Sequence, residues 1–227
     1  MHACTKCHND RVTGPLPEPT VGLRERKRRA TRHAIQTAIL DLAERDGYDR
    51  VTIDDISTAA DISPRTFFNY FPSKDDAVIG DFPVLSELEA TAEFVAAGPE
   101  SSVLASLGRL LAAASESLAD ERMPDERRRA LLRGHPGLFA KRMAYLHRFE
   151  DELADIVSDR LAADDPALAG DPVALARRSR FLSLIGLAAV RFAYSTWLGE
   201  HDRRSLGDCI VGAFDELVDT LASTHAG

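Results

Sequence analysis

The chain predicts an all-α protein, with a three-helix helix-turn-helix unit near its N-terminus and a larger helical body after it. Three observations carry that prediction. Residues 52–74, TIDDISTAADISPRTFFNYFPSK, read as two short capped helices across a tight turn, followed by the start of another helix. Residues 23–46, 173–199 and 204–223 carry apolar side chains at helical spacing. Glycine and proline at Gly98-Pro99 and Gly134-His135-Pro136-Gly137 cut the intervening chain into helix-length pieces.

In chain order, residues 1–22 are polar and hold Gly14, Pro15, Pro17, Pro19 and Gly22, which predicts an arm without fixed structure. Within the arm, Cys4-Thr5-Lys6-Cys7-His8 spells C-x-x-C-H, a pattern of haem attachment or half a zinc site. No second ligand pair follows, and four ligands within seven residues would be cramped, so the arm is read as a leader that holds no metal. Cys209 reads as a small buried apolar residue. The first helix spans 23–46, with Ile35, Ala38, Ile39, Leu42 and Ala43 on one face and Gly47 as its C-terminal stop. Thr52 caps the second helix, with Asp55 three residues on as a capping-box partner. Asp61-Ile62 makes the turn. Ser63 caps the third helix, Pro64 takes its first position where a missing N–H costs nothing, and Pro72 stops it. Phe67 and Phe71 point to the core. Ser73 caps a fourth helix that opens with Lys74.

The fourth helix is expected to continue to about residue 97, broken or kinked at Pro83. Helices are then expected over 101–121, from Met123-Pro124 through Arg133, over 138–163, 173–199 and 204–223, with a loop rich in Asp and Pro over 164–172. Phe181, Leu184, Ile185, Ala188 and Phe192 supply one face of the penultimate helix; Ile210, Phe214, Leu217 and Leu221 supply one of the last. Three regions follow: an arm over 1–22, the helix-turn-helix unit over 23–74 and the helical body over 75–227.

With a net charge of -8, any affinity for nucleic acid has to come from a local basic patch. One exists. Arg24, Arg26, Lys27, Arg28, Arg29 and Arg32 crowd the first helix, offset only by Glu25. Phosphate contacts are therefore expected from Arg28, Arg29 and Arg32, and from Ser63 at the start of the third helix. That helix presents Arg65, Thr66, Asn69 and Tyr70 away from its aromatic underside. Arginine can donate two hydrogen bonds to guanine, asparagine can pair with adenine, and threonine offers a methyl or a hydroxyl. Lys74, at a helix N-terminus, suits a phosphate.

Residues 31–78 resemble the N-terminal domain of TetR-family transcriptional regulators. The run Thr52-Ile53-Asp54-Asp55-Ile56-Ser57, then Ala60-Asp61-Ile62-Ser63-Pro64-Arg65-Thr66-Phe67-Phe68-Asn69-Tyr70-Phe71-Pro72-Ser73-Lys74-Asp75, carries the likeness, preceded by Ala38 and Gly47. The resemblance implies an all-helical homodimer that represses genes until a small ligand releases it. By match of position it implies that Pro64, Arg65, Thr66 and Asn69 face bases, and that Thr52, Tyr70 and Lys74 touch phosphates. The chain departs from the family at Phe68, where the family often has a tyrosine whose hydroxyl reaches a phosphate; a phenyl ring cannot donate.

A symmetric dimer reads two half-sites of operator DNA, which one helix alone is too short to specify. The two C-terminal helices are the expected homodimer interface, as a four-helix bundle with their symmetry mates. A ligand pocket is expected from Phe94, Phe139, Met143, Arg180, Leu187 and Arg191, suited to an apolar or acyl-CoA-like acid. No cofactor or metal is expected. His33, His135, His147 and His201 are scattered without a nucleophile, paired-carboxylate or metal-ligand context, which argues against an enzyme. The competing class is a helical interaction protein without sequence-specific DNA binding. No apolar run reaches the ~18 residues of a membrane span, and no apolar signal-peptide core opens the chain, so a cytoplasmic address is expected.

Overall fold

The structure, a computed structural model, describes residues 23–80, 82–118, 125–199 and 204–224. The arm over 1–22, with Cys4, Cys7 and His8, lies outside them. Eleven α-helices are described: α1 (Leu23–Asp46), α2 (Ile53–Ala59), α3 (Pro64–Tyr70), α4 (Lys74–Ile79), α5 (Glu89–Ala96), α6 (Val103–Leu118), α7 (Asp125–Gly134), α8 (Pro136–Asp164), α9 (Pro166–Ala169), α10 (Pro172–Gly199) and α11 (Leu206–Thr224). Two 3₁₀ turns, Tyr48–Arg50 and Leu85–Glu87, precede α2 and α5. There is no strand among the described residues.

Capping chemistry sets the short helices. Thr52 accepts from the Asp55 amide at 3.2 Å while the Asp55 carboxylate accepts from the Thr52 amide at 3.0 Å, a complete capping box. Ser63 accepts from the Thr66 amide at 3.0 Å, and Ser73 from the Asp76 amide at 3.2 Å. Asp61 takes φ 53 in the α2–α3 turn, a left-handed position that a short polar side chain tolerates. The fourth helix does not run on to residue 97. It stops at Gly80, whose φ of 80 lies where side chains are strained, and the chain from Phe82 to Val84 has no helical conformation. The break therefore falls before Pro83.

Two hydrophobic cores result. The first packs Ile35, Ile39, Ile56, Phe67 and Phe71 against Ala77, Val78 and Ile79, so α4 belongs to it; Leu132 and Leu138 from α7 and α8 close its far side. The second joins α5, α6, α8, α10 and α11 through Phe94, Leu107, Leu110, Leu153, Val157, Ala193, Ile210 and Phe214. Gly108 lets α6 and α11 approach closely: a Cβ there would meet the Phe214 ring at 2.8 Å. Ile210 and Phe214 are 0% and 1% exposed, so the apolar face of α11 closes the monomer. The face of α10 does the opposite. Phe181, Leu184 and Phe192 are 62%, 48% and 54% exposed, on one stripe with exposed Ala188.

Candidate nucleic-acid interface

α3 is held from beneath and open above. Phe67 and Phe71, 0% and 1% exposed, anchor it in the first core with ring centroids 6.1 Å apart. Pro64, Arg65 and Asn69 are exposed, and Thr66 and Tyr70 half-buried. Arg65 and Asn69 stand one turn apart on the outer side. Thr66 shares a 2.8 Å hydrogen bond with Ser63, which fixes its hydroxyl at the helix start. Pro64, Arg65, Thr66 and Asn69 are thus brought together on one short, firmly seated helix. Thr52 is exposed at the N-terminus of α2, its hydroxyl donating to Asp55 at 2.6 Å.

Two of the expected phosphate ligands do structural work. Lys74 donates to the carbonyls of Tyr48 and Val51 at 2.9 and 2.8 Å, with its ammonium 4.2 Å from the centroid of the Tyr48 ring. It closes the 3₁₀ turn between α1 and α2. An ammonium has three N–H groups, so one is left for a phosphate. Arg32 donates to the Tyr70 carbonyl at 3.1 Å and lies over the Phe71 ring at 4.3 Å, bracing the C-terminus of α3. Arg28 is exposed and Arg29 half-buried on α1.

The interface is wired to the body through α4. The Asp76 carboxylate, at the N-terminus of α4, accepts from Ser73 at 2.6 Å, from Tyr145 on α8 at 3.0 Å and from Lys141 on α8 at 2.7 Å. At the other end of α4, Arg142 donates to the Ile79 carbonyl at 2.7 Å. The Tyr48 hydroxyl donates to Asp75 at 2.6 Å, and its ring meets His135, in the α7–α8 turn, edge-on at 5.1 Å. Burial, then the bond to Asp75, push the Tyr48 phenol above its ordinary range. Arg127 on α7 pairs with Asp41 and Glu44 on α1.

Desolvation raises the Asp76 carboxyl, but the bonds from Lys141, Ser73 and Tyr145 outweigh it and hold the group below the ordinary carboxylate range. A depressed acid stabilises the fold above its unfolded pKa, and that contribution fades as pH falls through the folded one. The urea midpoint of the wild type is therefore expected to fall more steeply than that of Asp76→Asn below about pH 4. Parallel curves down to pH 3 would show that this carboxylate contributes nothing.

The residues expected to line a ligand pocket lie in different surroundings. Phe94 is 2% exposed in the second core, whereas Phe139 is 50% exposed on α8. The Arg180 side chain is 64% exposed, 3.8 Å from Asp151, and Arg191 also faces outward. Two arginines eleven residues apart do share a helical line, but that line is on the outside of α10. Met143 and Leu187 are half-buried. None of the six lines a groove of about 330 Å³ between the end of α4 and α8, bounded by Pro72, Asp76, Gly80, Phe82, Tyr145 and Glu152, among others, with Arg148 and Phe149 also on its wall. There Phe82 stacks on Tyr145 at 6.3 Å and tilts against Phe149 at 6.0 Å, and the Arg148 guanidinium lies over Tyr145 at 4.3 Å.

The sequence reading missed the Asp76 and Arg160 networks. The Ser73-x-x-Asp76 spacing is a capping signature that could have flagged the first. Arg160, on α8, is 0% exposed and bonds Asp164 at 2.6 Å, the Phe94 carbonyl at 2.7 Å and the Ser101 hydroxyl at 2.8 Å.

A seated helix with an open polar face, basic residues on the neighbouring α1 and a separate helical body together define a helix-turn-helix DNA-binding transcription regulator. Comparison with known proteins agrees: the model of bacterial regulatory proteins of the tetR family matches residues 35–78, and that of the MftR C-terminal domain matches residues 101–222. The chain belongs to the TetR family. It is 28% identical over 205 residues to the HTH-type transcriptional regulator TcmR of Streptomyces glaucescens, spanning 88% of this chain and 86% of that one. It is 40% identical over 57 residues to MftR of Mycobacterium tuberculosis, named as a mycofactocin biosynthesis transcriptional regulator, over 25% of this chain and 29% of that protein. A solved TetR-family regulator from Mesorhizobium loti covers 88% of this chain and 98% of its own, at 16% identity and a TM-score of 0.44. Among the described residues no helix is long and apolar enough to cross a membrane.

Proposed function

We propose that the protein is a cytoplasmic repressor that binds a palindromic operator as a homodimer and is released by a small-molecule effector in its helical body. The observation that carries the reading is the division of α3, with Phe67 and Phe71 at 0% and 1% exposure beneath and exposed Arg65 and Asn69 above. Buried aromatics hold the helix in place, and among the described residues no helix covers exposed Arg65 and Asn69. Pro64, Arg65, Thr66 and Asn69 face bases. Arg28, Arg29, Thr52, Ser63, Tyr70 and the third N–H of Lys74 face phosphates, and Arg32 serves them by bracing α3. The exposed stripe of α10 supports dimerisation, with α11 supplying its exposed edge at Leu221.

For the effector, the groove between α4 and α8 supports an apolar acid, an acyl-CoA-like one among the candidates. Its aromatic wall would take an apolar chain, and Arg148 would meet the acid, the groove's own carboxylates, Asp76 and Glu152, being held by Lys141 and Ser86. A ligand there separates α4 from α8 and so strains the Asp76–Lys141 link to the recognition helix.

Footprinting of the dimer on its own upstream DNA, with and without candidate acids, tests the whole. Arg65→Ala is expected to weaken cognate binding by about 1–3 kcal/mol and relax base preference. Lys74→Ala is expected to weaken cognate and random DNA alike, since it touches only backbone groups. Equal losses on both DNAs for both variants would remove α3 from the reading.

A further inference from the structure

We propose that Phe68 reads thymine in the operator through the thymine methyl group, making it an apolar specificity determinant beside Arg65 and Asn69. Its ring is 55% exposed, although Phe67 and Phe71 already fill the core beneath α3 at 0% and 1% exposure. The fold therefore does not need it. A large apolar ring on the outer side of a seven-residue helix is otherwise an unfavourable surface feature, in a position where the rest of the face is polar.

Placement narrows what it meets. Phe68 follows Pro64 by four residues and Arg65 by three, so it shares their side of the helix. It precedes Asn69 directly and flanks the same face. The ring is also held in orientation, standing edge-on against Phe67 at 5.6 Å with planes 89° apart. A contact made by this ring is preorganised, because its inner neighbour cannot move without disturbing the first core.

Chemistry narrows it further. A phenyl ring has no hydrogen-bond donor, so it cannot bind a phosphate oxygen. On the major-groove edge of the bases, the thymine C5-methyl is the apolar group, and aromatic side chains are among those that contact it. The rival is the deoxyribose, which is the same under every base. The two differ in one respect: removing the thymine methyl abolishes the first contact and leaves the second untouched.

The inference rests on α3 being the recognition helix, and the test separates the two. Full-length protein first selects its binding duplex from a random pool. Titrations by fluorescence anisotropy then compare that duplex with versions in which thymines are replaced by deoxyuridine, one symmetric pair at a time. For the wild type, one replacement is expected to weaken binding about fourfold per half-site, the worth of one buried methyl. For Phe68→Ala, thymine and uracil versions are expected to bind equally at that position, and Phe68→Leu is expected to keep part of the preference. Unchanged thermal melting of both variants establishes that the fold is intact. If every thymine-to-uracil penalty persists in Phe68→Ala, or if Phe68→Ala loses affinity while the wild type ignores every methyl, Phe68 does not read thymine. If no duplex is enriched at all, the recognition-helix reading fails first, and Phe68 with it.

Discussion

Replacing Arg160 by alanine is expected to destabilise the protein by about 3–5 kcal/mol, the cost of breaking a buried ion pair by removing one partner. The side chain is wholly buried, and its guanidinium joins three parts of the chain. Its Nε donates to Asp164 one turn on at 2.6 Å; its terminal nitrogens donate to the Phe94 carbonyl at 2.7 Å, the Gly98 carbonyl at 2.5 Å and the Ser101 hydroxyl and carbonyl at 2.8 and 3.2 Å. Those acceptors lie at the end of α5 and in the connection to α6. The Ser101 hydroxyl apart, they are backbone groups; the Gly98 carbonyl also accepts from the Ser101 amide and hydroxyl at 3.2 and 3.1 Å, in a turn where Gly98 takes φ 76. Truncation leaves them desolvated, and it leaves the Asp164 carboxylate 12% exposed with no cation.

Arg160→Lys is expected to recover only part of the loss. A lysine carries its charge at one point and cannot fork between an acid on its own helix and carbonyls on another segment. Arg160→Met with Asp164→Asn removes the stranded charge and should recover more than either single change, leaving the orphaned carbonyls as the residue of the effect. Chemical denaturation at fixed protein concentration measures all three variants, since a dimer's apparent stability depends on concentration. A loss below about 1 kcal/mol for Arg160→Ala would show that water replaces the guanidinium there.

Arg160 also shows what a sequence does not disclose. Its acceptors Phe94, Gly98 and Ser101 are 66, 62 and 59 residues away, and an arginine in a long charged helix reads as solvated. Lys74 hides a second role in the same way. A lysine at a helix N-terminus suggests a phosphate ligand, and nothing in that spacing announces that it also donates to the carbonyls of Tyr48 and Val51, brought up by the 3₁₀ turn before α2. The local features were legible. α1 ends at Asp46 before Gly47, and Thr52, Ser63 and Ser73 cap where their spacing says, because a cap is made by residues two or three positions apart. The aromatic underside of α3 was legible for the same reason: its period is that of one helix. The groove between α4 and α8 was not, because its lining depends on how the two helices cross, which no single helix encodes. Gly80 rather than Pro83 ending α4 is an intermediate case. Both residues break helices, and only the backbone shows that the chain turns through positive φ first.

The second large effect is expected at the C-terminal end. Phe181→Asp combined with Phe192→Asp is expected to turn the dimer into a folded monomer and to lower operator affinity by roughly 10²–10⁴, the advantage of binding two linked half-sites over one. Of the two C-terminal helices, α10 has the larger exposed apolar face, with α11 adding Leu221 at 45% exposure. Phe181, Leu184 and Phe192 are 62%, 48% and 54% exposed, along about three turns of one side. Such a stripe is larger than scattered surface apolar residues require, and a two-fold axis beside it would bury the same residues from both copies. Ile210 and Phe214 of α11 cannot serve, since they are 0% and 1% exposed against the second core. The contrast supplies the control: Phe214→Asp should unfold the body, whereas the α10 pair should leave the melting of the monomer intact. Light scattering after size exclusion reads the outcome as a fall from about twice 24.8 kDa to that mass. A double variant that stays dimeric and still protects its operator would place the two-fold axis elsewhere. One that becomes monomeric yet binds DNA as tightly as before would show that the half-sites are read independently, and that spacing between two copies of α3 is not what an effector has to change.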